Sequence, residues 1–151
     1  MRPRNILLIL AFCLAGFVIS MAQQPQMGSW KLNESKSKFP PNAGKNTMVV
    51  YESAGDNIKV TVDGVDDSGK PVHNEWTGKF DGKPYAITGD STADMRAYTK
   101  VNDHKLTFTN TKGGKKTITG VVTVSADGKT RTVVTKGASG QGGATAVYDK
   151  Q

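Results

Sequence analysis

The chain has 151 residues, a net charge of +7 and a single cysteine. Its first 22 residues stand apart: Arg2 and Arg4 precede an apolar run from Ile6 to Ile19, and Ser20-Met21-Ala22 carries the small-x-small spacing that a signal peptidase reads. Cleavage after Ala22 leaves residues 23–151 with a charge of about +5, one modest domain that is too short for a multidomain catalytic architecture.

Cys13 lies inside the apolar run, so the mature chain is expected to carry no thiol, no disulfide and no cysteine metal site. Phe12 stands where a lipoprotein signal needs a small residue, which argues against lipidation. The run is also short for a bilayer span of roughly 20 residues. The expectation is therefore an exported protein, periplasmic or extracellular, with no transmembrane segment in the mature chain. Residues 23–27 read as a flexible leader and residues 28–151 as a single domain.

After Ala22 the aliphatic residues are 13 Val and 3 Ile against only Leu32 and Leu106, with 16 Thr, the β-branched bias of strands. Turn chemistry recurs every eight to twelve residues, as in Ala54-Gly55-Asp56-Asn57, Asp81-Gly82-Lys83, Lys112-Gly113-Gly114-Lys115 and Ala126-Asp127-Gly128-Lys129. These turns delimit ten predicted strands, at 28–33, 47–53, 58–65, 72–79, 85–88, 95–101, 105–111, 116–125, 130–136 and 144–149. The expected fold is all-β, an antiparallel up-and-down meander closing into a barrel of about ten strands, since closure removes the edges most economically. A two-sheet β-sandwich is the alternative. Beyond about eight strands a barrel lumen is wider than its own side chains fill, so a cavity is expected.

Between the first two strands, residues 34–46 form a connection with Pro40-Pro41 in its middle, long enough to fold over an open end. The third strand alternates Ile58, Val60 and Val62 against Lys59, Thr61 and Asp63, one dry face and one wet face. On the fourth, Trp76 shares a face with Val72, Asn74 and Gly78. That face is either a ligand wall or core, with Gly78 making room for the indole. Arg96 and Arg131 are the only arginines after Ala22, with the surface as their default place. Arg131 shares its face with Val133, which makes it the better placed of the two to reach a cavity. Arg96 shares a face with Tyr98 and Lys100 and is expected to be solvated or stacked on Tyr98. Leu106 and Phe108 point one way around Thr107. Lys59, Lys79, Lys100, Lys116 and Lys136 sit in or at the ends of strands, which excludes a lipid-facing outer band.

The mature chain opens with Gly28-Ser29-Trp30-Lys31-Leu32 and closes with Thr145-Ala146-Val147-Tyr148-Asp149-Lys150. The G-x-W opening resembles the calycin superfamily, and G-x-W-K-L is most similar to its fatty-acid-binding branch. The nearest description is a small secreted bacterial lipocalin-like protein. The resemblance implies that Trp30 plugs one barrel end as a structural residue. It also implies that Tyr148 matches a ligand-holding Tyr of the last strand, whose partner Arg would stand two residues earlier. Ala146 occupies that position, so the charge that would neutralise a buried carboxylate has to come from elsewhere, Arg131 being the candidate. The helical pair usual between the first two strands is replaced by the shorter 34–46 connection.

Enzymatic signals are weak. His73 and His104 make no metal-ligand spacing, and Asp63, Asp66 and Asp67 lack the alternate spacing and closing Glu of a calcium loop. Lys112, Lys115 and Lys116 bracket a turn without aromatics to stack bases. The expectation is a monomeric binding protein with no cofactor, no metal, no nucleic-acid partner and no chemistry. It would take a small apolar or amphipathic molecule in its lumen, touching Tyr148, Arg131, Trp76 and Phe108. The alternative is a filled barrel serving as a surface interaction module for anionic cell-envelope material or a protein partner.

Overall fold

The computed structural model describes residues 24–151. The expected export signal, with Cys13 and the cleavage position after Ala22, lies outside the described residues. The chain forms ten antiparallel strands: β1 (Gly28–Leu32), β2 (Lys45–Ala54), β3 (Asn57–Val65), β4 (Pro71–Gly78), β5 (Asp81–Thr88), β6 (Met95–Asn102), β7 (Lys105–Lys112), β8 (Lys115–Val124), β9 (Thr130–Gly137) and β10 (Thr145–Lys150). Each pairs with its sequence neighbour, and β1 closes the ring by pairing with β10, Leu32 opposite Tyr148. The sandwich alternative is thereby replaced by a closed barrel. A single 3₁₀ turn at Glu34–Lys36 is the helical structure among the described residues, and no helix there is long and apolar enough to cross a membrane.

The strands follow from sequence alternation, and the bends follow from local chemistry. In the β3–β4 turn the Asp66 carboxylate accepts from the Ser68 and Lys70 backbone N–H groups, both at 2.9 Å, so the Asp66-Asp67-Ser68-Gly69 acids make a hairpin. β5 begins four residues earlier than the sequence predicts. Its register shifts between Asp81 and Pro84, a bulge that lets a proline sit in a strand.

The lumen has two halves. Connections β2–β3, β4–β5, β6–β7 and β8–β9 lie at one end, and that half is filled by Trp30, Tyr51, Val60, Trp76, Tyr98, Leu106, Val122 and Val124, all buried, with Phe80 packed against them. Trp76 stacks on Phe80 with ring centroids 6.3 Å apart and meets Tyr98 edge-on at 4.9 Å. A Cβ at Gly78 would lie 2.5 Å from the Tyr85 ring and 2.7 Å from the Trp76 indole, so only glycine admits this aromatic cluster. Trp30 is fully buried and donates its indole N–H to the Gln26 carbonyl at 2.9 Å. Gln26 itself is buried and Met27 packs on the core. Part of the segment read as a flexible leader is therefore folded beneath the barrel.

Candidate ligand site

The other half of the lumen holds a cavity of about 480 Å³, within the range of small-molecule sites. It opens at the end carrying the β1–β2, β3–β4, β5–β6, β7–β8 and β9–β10 connections, and Phe39 and Gly44 of the first of these line it. That connection is pinned as a strap. The Lys38 N–H donates to the Thr145 carbonyl at 2.7 Å, the Thr145 N–H donates back to the Lys38 carbonyl at 2.8 Å, and the partly buried Phe39 ring packs onto the core.

The cavity walls differ in character. Asn74 on β4, Arg96 on β6, Asn110 on β7 and Asp90 before β6 make one side polar. Ile118 on β8, the cross-strand partner of Asn110, joins Val133 on β9 and Ala146 on β10 in a mainly apolar side, and Phe108, Tyr148, Val72, Thr135, Lys45 and Asp66 are also among the lining residues.

Of the expected contacts, Tyr148 and Phe108 line the cavity. Trp76 belongs to the packed half instead, its indole N–H bound to the Arg96 carbonyl at 2.9 Å. Arg131 lies behind Tyr148, to which it is paired across β9 and β10, and its guanidinium carbon sits 5.4 Å from the Tyr148 ring centroid.

Both arginines are buried, against the surface default, and they differ in how their charge is answered. Arg96 is fully partnered. Its Nε donates to Asn110 Oδ1 at 2.7 Å, its Nη2 lies 3.6 Å from the Asp90 carboxylate, and its guanidinium stacks over Tyr98 and Phe108 at 5.7 and 5.5 Å. Arg131, only 3% exposed, has no acid partner among the described residues. Its Nη2 donates to the Tyr51 hydroxyl at 2.6 Å and its cation lies over that ring at 4.8 Å, while Nε and Nη1 are buried without acceptors. The two phenols do not answer the charge. Burial raises both Tyr51 and Tyr148 above the ordinary tyrosine value, outweighing the pull of Arg131 in the other direction, so both stay neutral.

Of the two placements expected for Arg96, solvated or stacked on Tyr98, the first is corrected and the second is found: Arg96 and Tyr98 point inward together, and Val101, 54% exposed, points out. A signal for this was present. Counting equally back from the turn at Asp103 sets Tyr98 opposite Phe108 and Arg96 opposite Asn110, the observed register, on the face that Leu106 and Phe108 mark as dry. Sequence reasoning missed Tyr51 and Asn110 as members of the site and placed Asn74 on a face that it read as either ligand wall or core. His73 lies on the outer wall between Asp63 (2.6 Å) and Glu75 (3.4 Å), which hold its imidazole above the usual histidine value. No group of three metal-ligating side chains occurs among the described residues.

A fatty-acid-binding protein of Schistosoma mansoni, solved in complex with arachidonic acid, superposes over 85% of this chain and 97% of its own, with a TM-score of 0.60 and 19% sequence identity. The two proteins share a fold. A redesigned β-barrel, mFAP1, bound to DFHBI also matches, covering 84% of this chain and 96% of its own at 14% identity and a TM-score of 0.46. No family model matches the sequence, and no curated protein does. At such identities the likeness is one of architecture, and the chemistry of the lumen rests on this chain's own side chains.

Proposed function

We propose that this protein is an exported binding protein for a small amphipathic molecule with one anionic head, held in the barrel lumen without chemical conversion. The observation that carries this is Arg131. A buried guanidinium with two orphaned nitrogens and no counter-charge costs several kcal/mol as an order of magnitude, and one carboxylate or equivalent head removes that cost. Arg96 is already answered by Asp90 and Asn110, so Arg131 is the one buried cation left unanswered among the described residues, which fits a monoanion better than a dianion.

In this reading Tyr51 and Tyr148 donate to the head beside Arg131. The ligand tail occupies the cavity against Ile118, Val133 and Ala146, and Phe39 covers it. The head reaches Arg131 past the Tyr148 ring, so binding includes a rotation of that side chain. The signal at residues 1–22 supports a mature chain that works outside the cytoplasm, where such amphiphiles need a carrier to cross water.

The test compares hexadecanoate with hexadecanol, each displacing a fluorescent anionic probe. The acid is expected to bind more tightly by about tenfold or more, the order of one charge-assisted hydrogen bond. Arg131→Met should remove that preference while Ala146→Arg strengthens it. Equal affinities that Arg131→Met leaves unchanged would reject the reading.

A further inference from the structure

The polar wall of the cavity has no use in holding a plain hydrocarbon tail. Within it the needs of Arg96 are met by Asn110, Tyr98 and Asp90. Asn74 is different. It is 92% removed from solvent, given its 8% exposure, it lines the cavity, and its side-chain oxygen is buried with no donor. A hydrocarbon tail laid against this carboxamide would leave it unsatisfied, and a buried polar group in that state is unfavourable. The oxygen and nitrogen of a carboxamide exchange places by a simple flip, so the group that serves it in either setting must both donate and accept. A hydroxyl does both.

We infer that the ligand carries a hydroxyl partway along its chain, and that Asn74 is the residue that selects for it. This rests on the anionic-head reading above and deepens it. Asn74 on β4 stands across the lumen from Ile118, Val133 and Ala146 on β8, β9 and β10, so a ligand lying between them meets a carboxamide on one edge and apolar side chains on the other. Arg131 lies beneath the cavity behind Tyr148, whereas Asn74 lines the cavity itself, which places the hydroxyl away from the head. The chemical class is therefore a hydroxylated long-chain acid in place of an unsubstituted one.

The experiment titrates the purified protein with octadecanoate and with octadecanoate bearing one hydroxyl at its middle carbons, using native protein, Asn74→Leu and Asn74→Ala. Native protein is expected to prefer the hydroxy acid by about tenfold, the size of one hydrogen bond to a buried polar group. Asn74→Leu should reverse the preference, tightening octadecanoate and weakening the hydroxy acid, and Asn74→Ala should abolish it. Equal affinity of native protein for the two acids, or a preference that survives both substitutions, overturns the role of Asn74 and leaves the anionic-head reading standing. Binding of neither acid by native protein overturns both. Circular dichroism of the variants reports folding, and Asn74→Ala, the smaller change, serves for the comparison if Asn74→Leu does not fold.

Discussion

Replacing Arg131 by methionine should separate stability from binding. The unliganded protein loses a buried charge without a counter-ion, so its unfolding free energy is expected to rise by about 1 to 4 kcal/mol in urea titrations, while anionic amphiphiles cease to stabilise it. A loss of stability instead would mean that the Tyr51 hydroxyl bond at 2.6 Å outweighs the desolvation of the guanidinium. The phenols offer a pH test. Burial raises the Tyr51 and Tyr148 values above the ordinary 10.0, so the native state holds protons that the unfolded chain releases. Their contribution is complete below about pH 10 and is lost as pH climbs towards the native values. Ultraviolet titration is expected to show these two tyrosines ionising only as the barrel unfolds. Titration of all four tyrosines near their free value in folded protein would contradict the burial.

Strand identity was legible because valine, threonine and glycine turns act locally, and every strand after β1 carries valine or threonine. Which face points inward was less legible. On β6 the inward pair is Arg96 and Tyr98, and the residues that face water include Val101, so polarity inverts the usual sign where a cavity replaces packed core. The register of the neighbouring hairpin carries that information and composition does not. Trp76 shows the opposite case, since its core role with Gly78 was readable as one of two options and packing decided between them. Gly78→Ala should cost about 1 to 3 kcal/mol by overpacking against Tyr85 and Trp76, measured by the urea midpoint. The strap across the mouth acts on rates. Phe39→Ala removes the ring that lines the cavity while leaving the Lys38 and Thr145 backbone pair, so stopped-flow release of a bound acid is expected to accelerate several-fold. An unchanged release rate would place the ligand exit elsewhere.

For the whole molecule, closure of the barrel follows from the pairing of β1 with β10, a contact between the chain's distant ends that no local signal encodes. Closure produces the two-part lumen, one half packed with aromatic side chains and the other a cavity with a polar and an apolar wall. The packed half fixes Tyr51 and Tyr98 against each other, Tyr51 in turn accepts from Arg131, and behind Tyr148 at the cavity's inner end lies a guanidinium with unmet needs. The cavity can enclose a ligand, and in the proposed reading Arg131 sets the kind of head that the ligand carries. The most direct measurement is native mass spectrometry of protein purified gently from its own host, with the organic extract analysed alongside. One monoanionic amphiphile per chain, lost from Arg131→Met protein prepared in the same way, is the predicted result. Repeated ligand-free spectra, together with failure of the native protein to bind any long-chain acid, would contradict the account.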